Sequence, residues 1–186
     1  MLHKRHPTIL QPKESIFVLV DYQAKMVNAM AHAEEVTQQL GRLIAGLNDI
    51  GVPVVATEQY PNGLGRTHDA ITHLVSPKNR ADKMTFSCCG NEAFWDLMQA
   101  GRRQVIVAGI ETHVCVLQTV LDLLANDYQV HVPIDAVDSR SERNRDNALN
   151  RMQQAGAILT NSESVLFELM VEAGTDLFKT VRKHIV

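Results

Sequence analysis

A chain of 186 residues with 45% hydrophobic and 21% charged side chains can bury a substantial core and has the composition of a soluble globular protein. Its formal net charge of -3 carries no electrostatic footprint for nucleic acid or an anionic membrane surface, and no apolar run is longer than a strand. Three cysteines, two of them adjacent at Cys88 and Cys89, form no disulfide framework and point to a reducing cytoplasm.

In chain order, residues 1–7 are basic through Lys4 and Arg5, but no apolar core of secretory-signal length follows before Lys13 and Glu14. Residues 16–20 read as a buried strand that ends on Asp21. Val36, Leu40, Leu43, Ile44 and Leu47 share one face of a predicted helix over 33–50, which stops at Gly51-Val52-Pro53 and feeds a strand over 52–56. From 59 to 91 no clean periodicity holds, and Pro61, Gly63, Gly65, Pro77 and Gly90 punctuate the stretch. Long irregular excursions inside compact domains are uncommon and often functional.

A strand over 105–110 passes through Gly109 into Val114, Leu117, Leu121 and Leu124, whose spacings of three and four predict a helix with Cys115 in its first turn. Unpaired N–H groups at a helix start favour thiolate, which predicts a thiol pKa below the free value of about 8.5. A small buried hydrophobe is the equal alternative on these residues alone. A strand over 130–134 follows, then a helix over 141–155. Ser141 stands at its N-cap, Ala148, Met152 and Ala155 form its buried stripe, Glu142, Arg143, Arg145 and Asp146 its solvated face, and Gly156 its stop. After a strand over 157–160, the segment 164–174 is apolar around most of its circumference through Val165, Leu166, Phe167, Leu169, Met170 and Val171, as deep burial or a subunit contact requires. No repeat or linker divides the chain, so one α/β domain over 1–186 is expected, its parallel sheet covered by helices on both faces.

In such a sheet, ligands collect beyond the carboxyl ends of the strands. Asp21 leaves the first strand at that edge, and Lys83 can fold over it from the excursion. Taken singly, a strand-terminal acid is commonly a turn former and a loop lysine commonly solvated.

Taken together they form a pattern: Ile16-Phe17-Val18-Leu19-Val20-Asp21-Tyr22-Gln23, then Asp82-Lys83-Met84-Thr85-Phe86-Ser87, then Ala108-Gly109-Ile110-Glu111-Thr112-His113-Val114-Cys115-Val116. In this order the motifs resemble those of the isochorismatase-like hydrolase superfamily, the cysteine hydrolases, across residues 16–171. Thr57-Glu58-Gln59-Tyr60-Pro61, Gly63-Leu64-Gly65-Arg66-Thr67 and Thr112-His113 are similar to its isochorismatase-domain-containing branch. The resemblance implies a three-layer α/β/α, Rossmann-like fold and a catalytic triad of Asp21, Lys83 and Cys115. It also implies a cis Ile110-Glu111 peptide and an oxyanion hole made by the backbone N–H groups of Glu111 and Cys115. In the implied chemistry Cys115 attacks an amide-like carbon to give a thioester, Asp21 is general base, and Lys83 holds the carboxylate and stabilises negative charge.

Two departures narrow the expectation. Nicotinamidases of the superfamily carry a metal-binding Asp-x-His after the second strand, where this chain reads Thr57-Glu58-Gln59. His68 and His73, five apart without a third ligand, read as surface residues, so neither metal nor other cofactor is expected. True isochorismatases generally lack the nucleophilic cysteine. Gln23, Tyr60, Phe86 and Cys88, together with Tyr22, flank the triad as candidates for substrate binding, each set against plain packing. His113 could polarise the pocket or cap the helix. Cys88 and Cys89 are expected reduced rather than joined in a strained vicinal disulfide. The expected protein is a metal-independent hydrolase of a C–N bond in a small molecule. It has no nucleic-acid or membrane partner and forms a homo-oligomer through the helix near Phe167. Vinyl ether hydrolysis, and a non-catalytic interaction or redox-sensing role for the thiol, are the alternatives.

Overall fold

The computed structural model describes residues 4–185, so the first three residues of the basic N-terminal stretch lie outside the described residues. Every side chain of β1 (Ser15–Val20) is buried, as a strand covered on both faces by helices must be. The short α1 (Ala24–Val27) leads to α2 (Ala33–Ile50), which is closed by Gly51 in the left-handed region, its N–H donating to the carbonyls of Leu47 and Asn48. β2 (Val54–Gln59) begins two residues later than periodicity predicts, since Val52 and Pro53 serve as the connection.

The aperiodic excursion resolves into short pieces: α3 (Pro61–Leu64), α4 (Asp69–Thr72), a 3-10 turn (Pro77–Asn79), the edge strand β3 (Arg80–Lys83), a second 3-10 turn (Cys88–Gly90) and α5 (Glu92–Leu97). β4 (Gln104–Ile110) follows, then a wide π-type turn (Thr112–Val116), α6 (Leu117–Ala125), β5 (Gln129–Pro133), β6 (Val137–Asp138), α7 (Glu142–Gln154), β7 (Ile158–Thr160), α8 (Ser162–Met170) and α9 (Asp176–Ile185).

The sheet runs β3-β2-β1-β4-β5-β7 with β6 beside β4, and every pairing is parallel. It is the α/β architecture expected. α2, α8 and α9 pack on one another and α6 packs on α7. Among the described residues no helix is long and apolar enough to cross a membrane. The chain order reverses between β1 and β4, the switch point at which such sheets open a crevice.

Two local expectations change. Ser141 stands at the N-cap of α7, but its side chain makes no capping hydrogen bond. The apolar C-terminal segment forms a helix that ends at Met170. Val165, Leu166, Leu169 and Met170 point into the core, and Phe167 and Val171 remain exposed. Its apolar circumference is thus divided between core and surface rather than wholly buried.

The register Val20↔Gly109 sets the switch point, and Gly109 is required there. Its φ is +120, and a Cβ would lie 2.1 Å from the Val20 carbonyl oxygen, which is backbone and cannot turn away. Gly109→Ala is expected to cost about 3 kcal/mol or more, seen in urea denaturation as a lower midpoint at unchanged slope. A midpoint within experimental error of the parent protein would show that β1 and β4 can separate at this point without penalty.

Candidate active site

Asp21 leaves β1 in the left-handed region at φ 48, its N–H donating to the Thr57 carbonyl (3.1 Å), and its side chain is wholly buried. The Thr57 hydroxyl donates to Oδ1 at 2.8 Å. Oδ2 lies 2.7 Å from Lys83 Nζ, an ion pair with both side chains removed from water. Lys83 ends β3 in register with Gln59 of β2. Its ammonium also faces three neutral oxygens, Gln59 Oε1 (2.7 Å) and the carbonyls of Thr85 (3.0 Å) and Phe86 (2.9 Å). Asp21 Oδ2 thus shares the three hydrogens of the ammonium with these oxygens. A carboxylate oxygen has two lone pairs, so it can still accept from a second donor.

Cys115 reaches the same point from the π-type turn after β4 and is 3% exposed. The Thr119 hydroxyl donates to its carbonyl at 2.7 Å. Burial pushes the thiol well above its ordinary pKa, Asp21 raises it further through its charge and as a hydrogen-bond acceptor, and Lys83 works in the opposite direction. This reverses the lowered pKa expected from a position at a helix start, because desolvation outweighs the turn. The three side chains singled out in the sequence thus meet at the switch point. The Ile110-Glu111 peptide is cis, and the Glu111 carboxylate accepts from the N–H and Nε of Arg140 at 3.1 and 3.0 Å.

The residues expected to contact substrate are dispersed. Gln23 is fully buried and its amide is spent on backbone: Oε1 accepts from Gln59 N–H (2.7 Å), and Nε2 donates to the carbonyls of Gln59 (3.0 Å) and Gly65. It is a clamp between β2 and the following loop, in place of the substrate contact its sequence position suggests. Tyr22 is also in the core, its hydroxyl 2.7 Å from that of Thr37. Tyr60 stands half-exposed at φ 39 with its ring over Gly63. Phe86 offers Lys83 its carbonyl while its ring is exposed, as is the neighbouring Met84. His113 turns toward α7, with Nδ1 3.0 Å from the Ser139 hydroxyl, and lines a recess with Asn144, Asn147 and Arg151.

Cys88 does approach the triad. It is wholly buried, its sulfur 3.4 Å from the Thr57 hydroxyl and its N–H donating to Thr119 Oγ1. Burial and then Asp21 push its pKa up to about 11, and burial pushes Cys89 up to about 12. Both are free thiols.

Sequence reading missed Thr57, Gln59 and Thr119. The strand predicted over 52–56 stops before Thr57, and only in the structure does β2 extend to Gln59 and put Thr57 and Gln59 on one face. Between them Glu58 faces away. Burial alone would raise its carboxyl, but hydrogen bonds from Arg66 and Thr67 hold it below the ordinary range.

The Isochorismatase domain matches residues 15–164. Isochorismatase family protein 1A of Dictyostelium discoideum is 37% identical over 177 residues, covering 92% of this chain and 86% of its own. The structure of MAR1 ribonuclease from Caenorhabditis elegans superposes with a TM-score of 0.89 at 38% identity, covering 95% of this chain and 91% of that one. The YcaC gene product of Escherichia coli, described as an octameric hydrolase of unknown specificity, shares the fold at a TM-score of 0.86 and 24% identity over 98% of this chain and 92% of its own. Since the domain match runs from β1 into α8 and relatives at 37% and 38% identity extend along nearly the entire chain, this chain belongs to the isochorismatase-like hydrolase family.

Proposed function

We propose that this hydrolase cleaves a C–N bond of a small amide-like molecule without a metal, using Cys115 as nucleophile, Asp21 as general base and acid, and Lys83 as the cation that holds the carboxylate. The observation that carries this reading is a wholly buried Asp21 carboxylate that lies 2.7 Å from Lys83 Nζ and acts on the Cys115 thiol by its charge and as a hydrogen-bond acceptor. As the sulfur attacks the carbonyl carbon, the thiol proton passes to Asp21. The tetrahedral intermediate collapses, the C–N bond breaks, and Asp21 returns that proton to the leaving amine. Water then attacks the thioester while Asp21 takes its proton, the C–S bond breaks and the sulfur recovers a proton. The backbone N–H groups of Glu111 and Cys115 receive the oxyanion, a role in which one donor is worth about a hundredfold or more.

Several features favour this reading over its competitors. The oxygens of Thr57, Glu58 and Gln59, at the position where nicotinamidases of the superfamily bind metal, are engaged by Asp21, by Arg66 and Thr67, and by Lys83. The relative from Caenorhabditis elegans is named a ribonuclease. Here a net charge of -3 and a triad exposed by no more than 3% favour a small substrate over a polyanion. Phe167 and Val171, exposed at the end of α8, support self-association through that helix.

The charges facing the thiol give the proposal opposite signs in two variants. Asp21→Asn removes the contributions that raise the thiol, so iodoacetamide, read out by peptide mass spectrometry, should modify Cys115 faster at pH 8. Turnover of any amide found in a small-molecule panel should fall about a hundredfold or more. Lys83→Met removes the lowering contribution and should slow alkylation. Equal alkylation rates in all three proteins would defeat the assigned coupling. Turnover surviving in Cys115→Ala would move the reading to vinyl ether hydrolysis, which needs no sulfur. For assembly, light scattering coupled to size exclusion is expected to give a dimer or larger for the parent chain and a smaller species for Phe167→Glu. A parent chain that elutes as a monomer would remove the helix from consideration.

A further inference from the structure

We propose that Gln59 is a positioning residue: its side-chain oxygen competes with Asp21 for the hydrogens of Lys83, which leaves the Asp21 carboxylate a better acceptor for the thiol proton. The inference rests on the triad roles proposed above and extends them to a residue that acts through Lys83.

Four hydrogen bonds fix Gln59, two on its side-chain amide and two on its backbone. Oε1 accepts from Lys83 Nζ at 2.7 Å while Nε2 donates to the Met84 carbonyl at 2.9 Å. A lysine offers only donors and a carbonyl only acceptors, so these partners determine which end of the amide faces the ammonium. The Gln59 backbone is gripped from both sides by Gln23, whose Oε1 takes its N–H and whose Nε2 donates to its carbonyl. Gln23 is in turn tied to the triad, since its own N–H donates to the Asp21 carbonyl at 2.8 Å. Contacts therefore run in a closed ring from Asp21 through Gln23 and Gln59 to Lys83 and back across 2.7 Å to Asp21. Gln23 is fully buried and Gln59 nearly so, which makes a lost partner costly to replace with water.

The functional consequence follows from donor arithmetic. An ammonium has three hydrogens, and four oxygens, those of Gln59, Thr85 and Phe86 together with Asp21 Oδ2, lie within 3.0 Å of Nζ to share them. Without the Gln59 oxygen, a larger share falls to the carboxylate, and a carboxylate that accepts more hydrogen bonding is a weaker base and a poorer acceptor for the thiol. A neutral oxygen at position 59 thus keeps the cation close to Asp21 while drawing part of its hydrogen bonding elsewhere. A carboxylate there would compete for the cation and add negative charge beside the sulfur.

Alkylation of Cys115 by iodoacetamide tests this without a known substrate. Gln59→Met, similar in size but lacking the acceptor, should raise the rate at pH 8 about three- to tenfold, because Asp21 no longer holds the thiol as firmly in its protonated form. Gln59→Glu, isosteric and charged, should lower the rate by a similar factor. Opposite signs support the proposal. Acceleration in both variants would mean that Gln59 only closes the site against the reagent, and no change in either would mean that it does not govern the hydrogens of Lys83. Each of these outcomes overturns the proposal. Should Gln59→Met lose cooperative unfolding, the direction of change in Gln59→Glu decides alone. Asp21→Asn measured alongside separates the two levels: if it leaves the rate unaltered, the triad reading has failed, whereas if it accelerates alkylation while the Gln59 variants do not diverge, only the role of Gln59 has failed.

Discussion

The site depends on one buried ion pair, Asp21 with Lys83 at 2.7 Å. Bringing two charges out of water costs several kcal/mol per ion, and Coulomb attraction repays this only where the remaining lone pairs and protons are also satisfied. The fold meets that condition unequally. Lys83 has four oxygens around its three hydrogens, whereas Asp21 has one oxygen bonded by Thr57 and the other set against three competitors for the ammonium. A pair arranged for stability alone would give the carboxylate those hydrogens undivided. Dividing them leaves Asp21 acceptor capacity for the Cys115 thiol, with a second buried thiol, Cys88, close by.

The surrounding architecture exists to hold that arrangement. Adjacent parallel strands deliver Asp21, Lys83 and the turn carrying Cys115 to one edge of the sheet, and the pairing of Val20 with Gly109 sets their relative height. Alternation along β2 divides the work between its faces. Thr57 and Gln59 turn to the ion pair, and Glu58 turns to Arg66, whose Nη1 also bonds Asp82 at 2.6 Å. The second network ties the loop after β2 to β3, so the strand that supplies Lys83 is also anchored through its neighbour Asp82. Gln23 adds a third tether, from the end of β1 to Gly65.

Legibility in the sequence followed the range of the interactions. β1, α2, β4 and α7 could be read because their signals are local, apolar runs or helical spacing maintained over enough residues to count. β3 and β6 could not: four residues, Arg80, Ala81, Asp82 and Lys83, and then two, Val137 and Asp138, are too short for any period to show, and only their neighbours in the sheet make them strands. At the site, the strands before them placed Asp21 and the turn carrying Cys115 at the sheet edge, but the roles of Asp21, Lys83 and Cys115 were suggested only by the combined motif. Gln59 was passed over because its importance lies in register with Lys83 across the sheet. The bonding of Gln23 was hidden for the same reason, since nothing in Asp21-Tyr22-Gln23 reveals that the amide folds back onto β2. The thiol misled in another way. Position at a helix start is visible in a sequence, but the desolvation that opposes it is a property of the packed interior.

That raised thiol changes what activation must accomplish. A cysteine held as thiolate is available at once, but intrinsic nucleophilicity falls along with thiol pKa, and a low-pKa exposed sulfur is also the one most readily oxidised or alkylated. A buried protonated thiol trades standing reactivity for protection, and its sulfur becomes a stronger nucleophile at the moment the proton leaves. Under the proposed mechanism the acceptor for that proton is already in place, desolvated and facing the thiol. Loss of the proton therefore coincides with bond formation to carbon. On this view Lys83 does not generate a resting thiolate. Its charge makes a carboxylate tolerable in the interior, and the neutral oxygens around it compete with that carboxylate for its hydrogens.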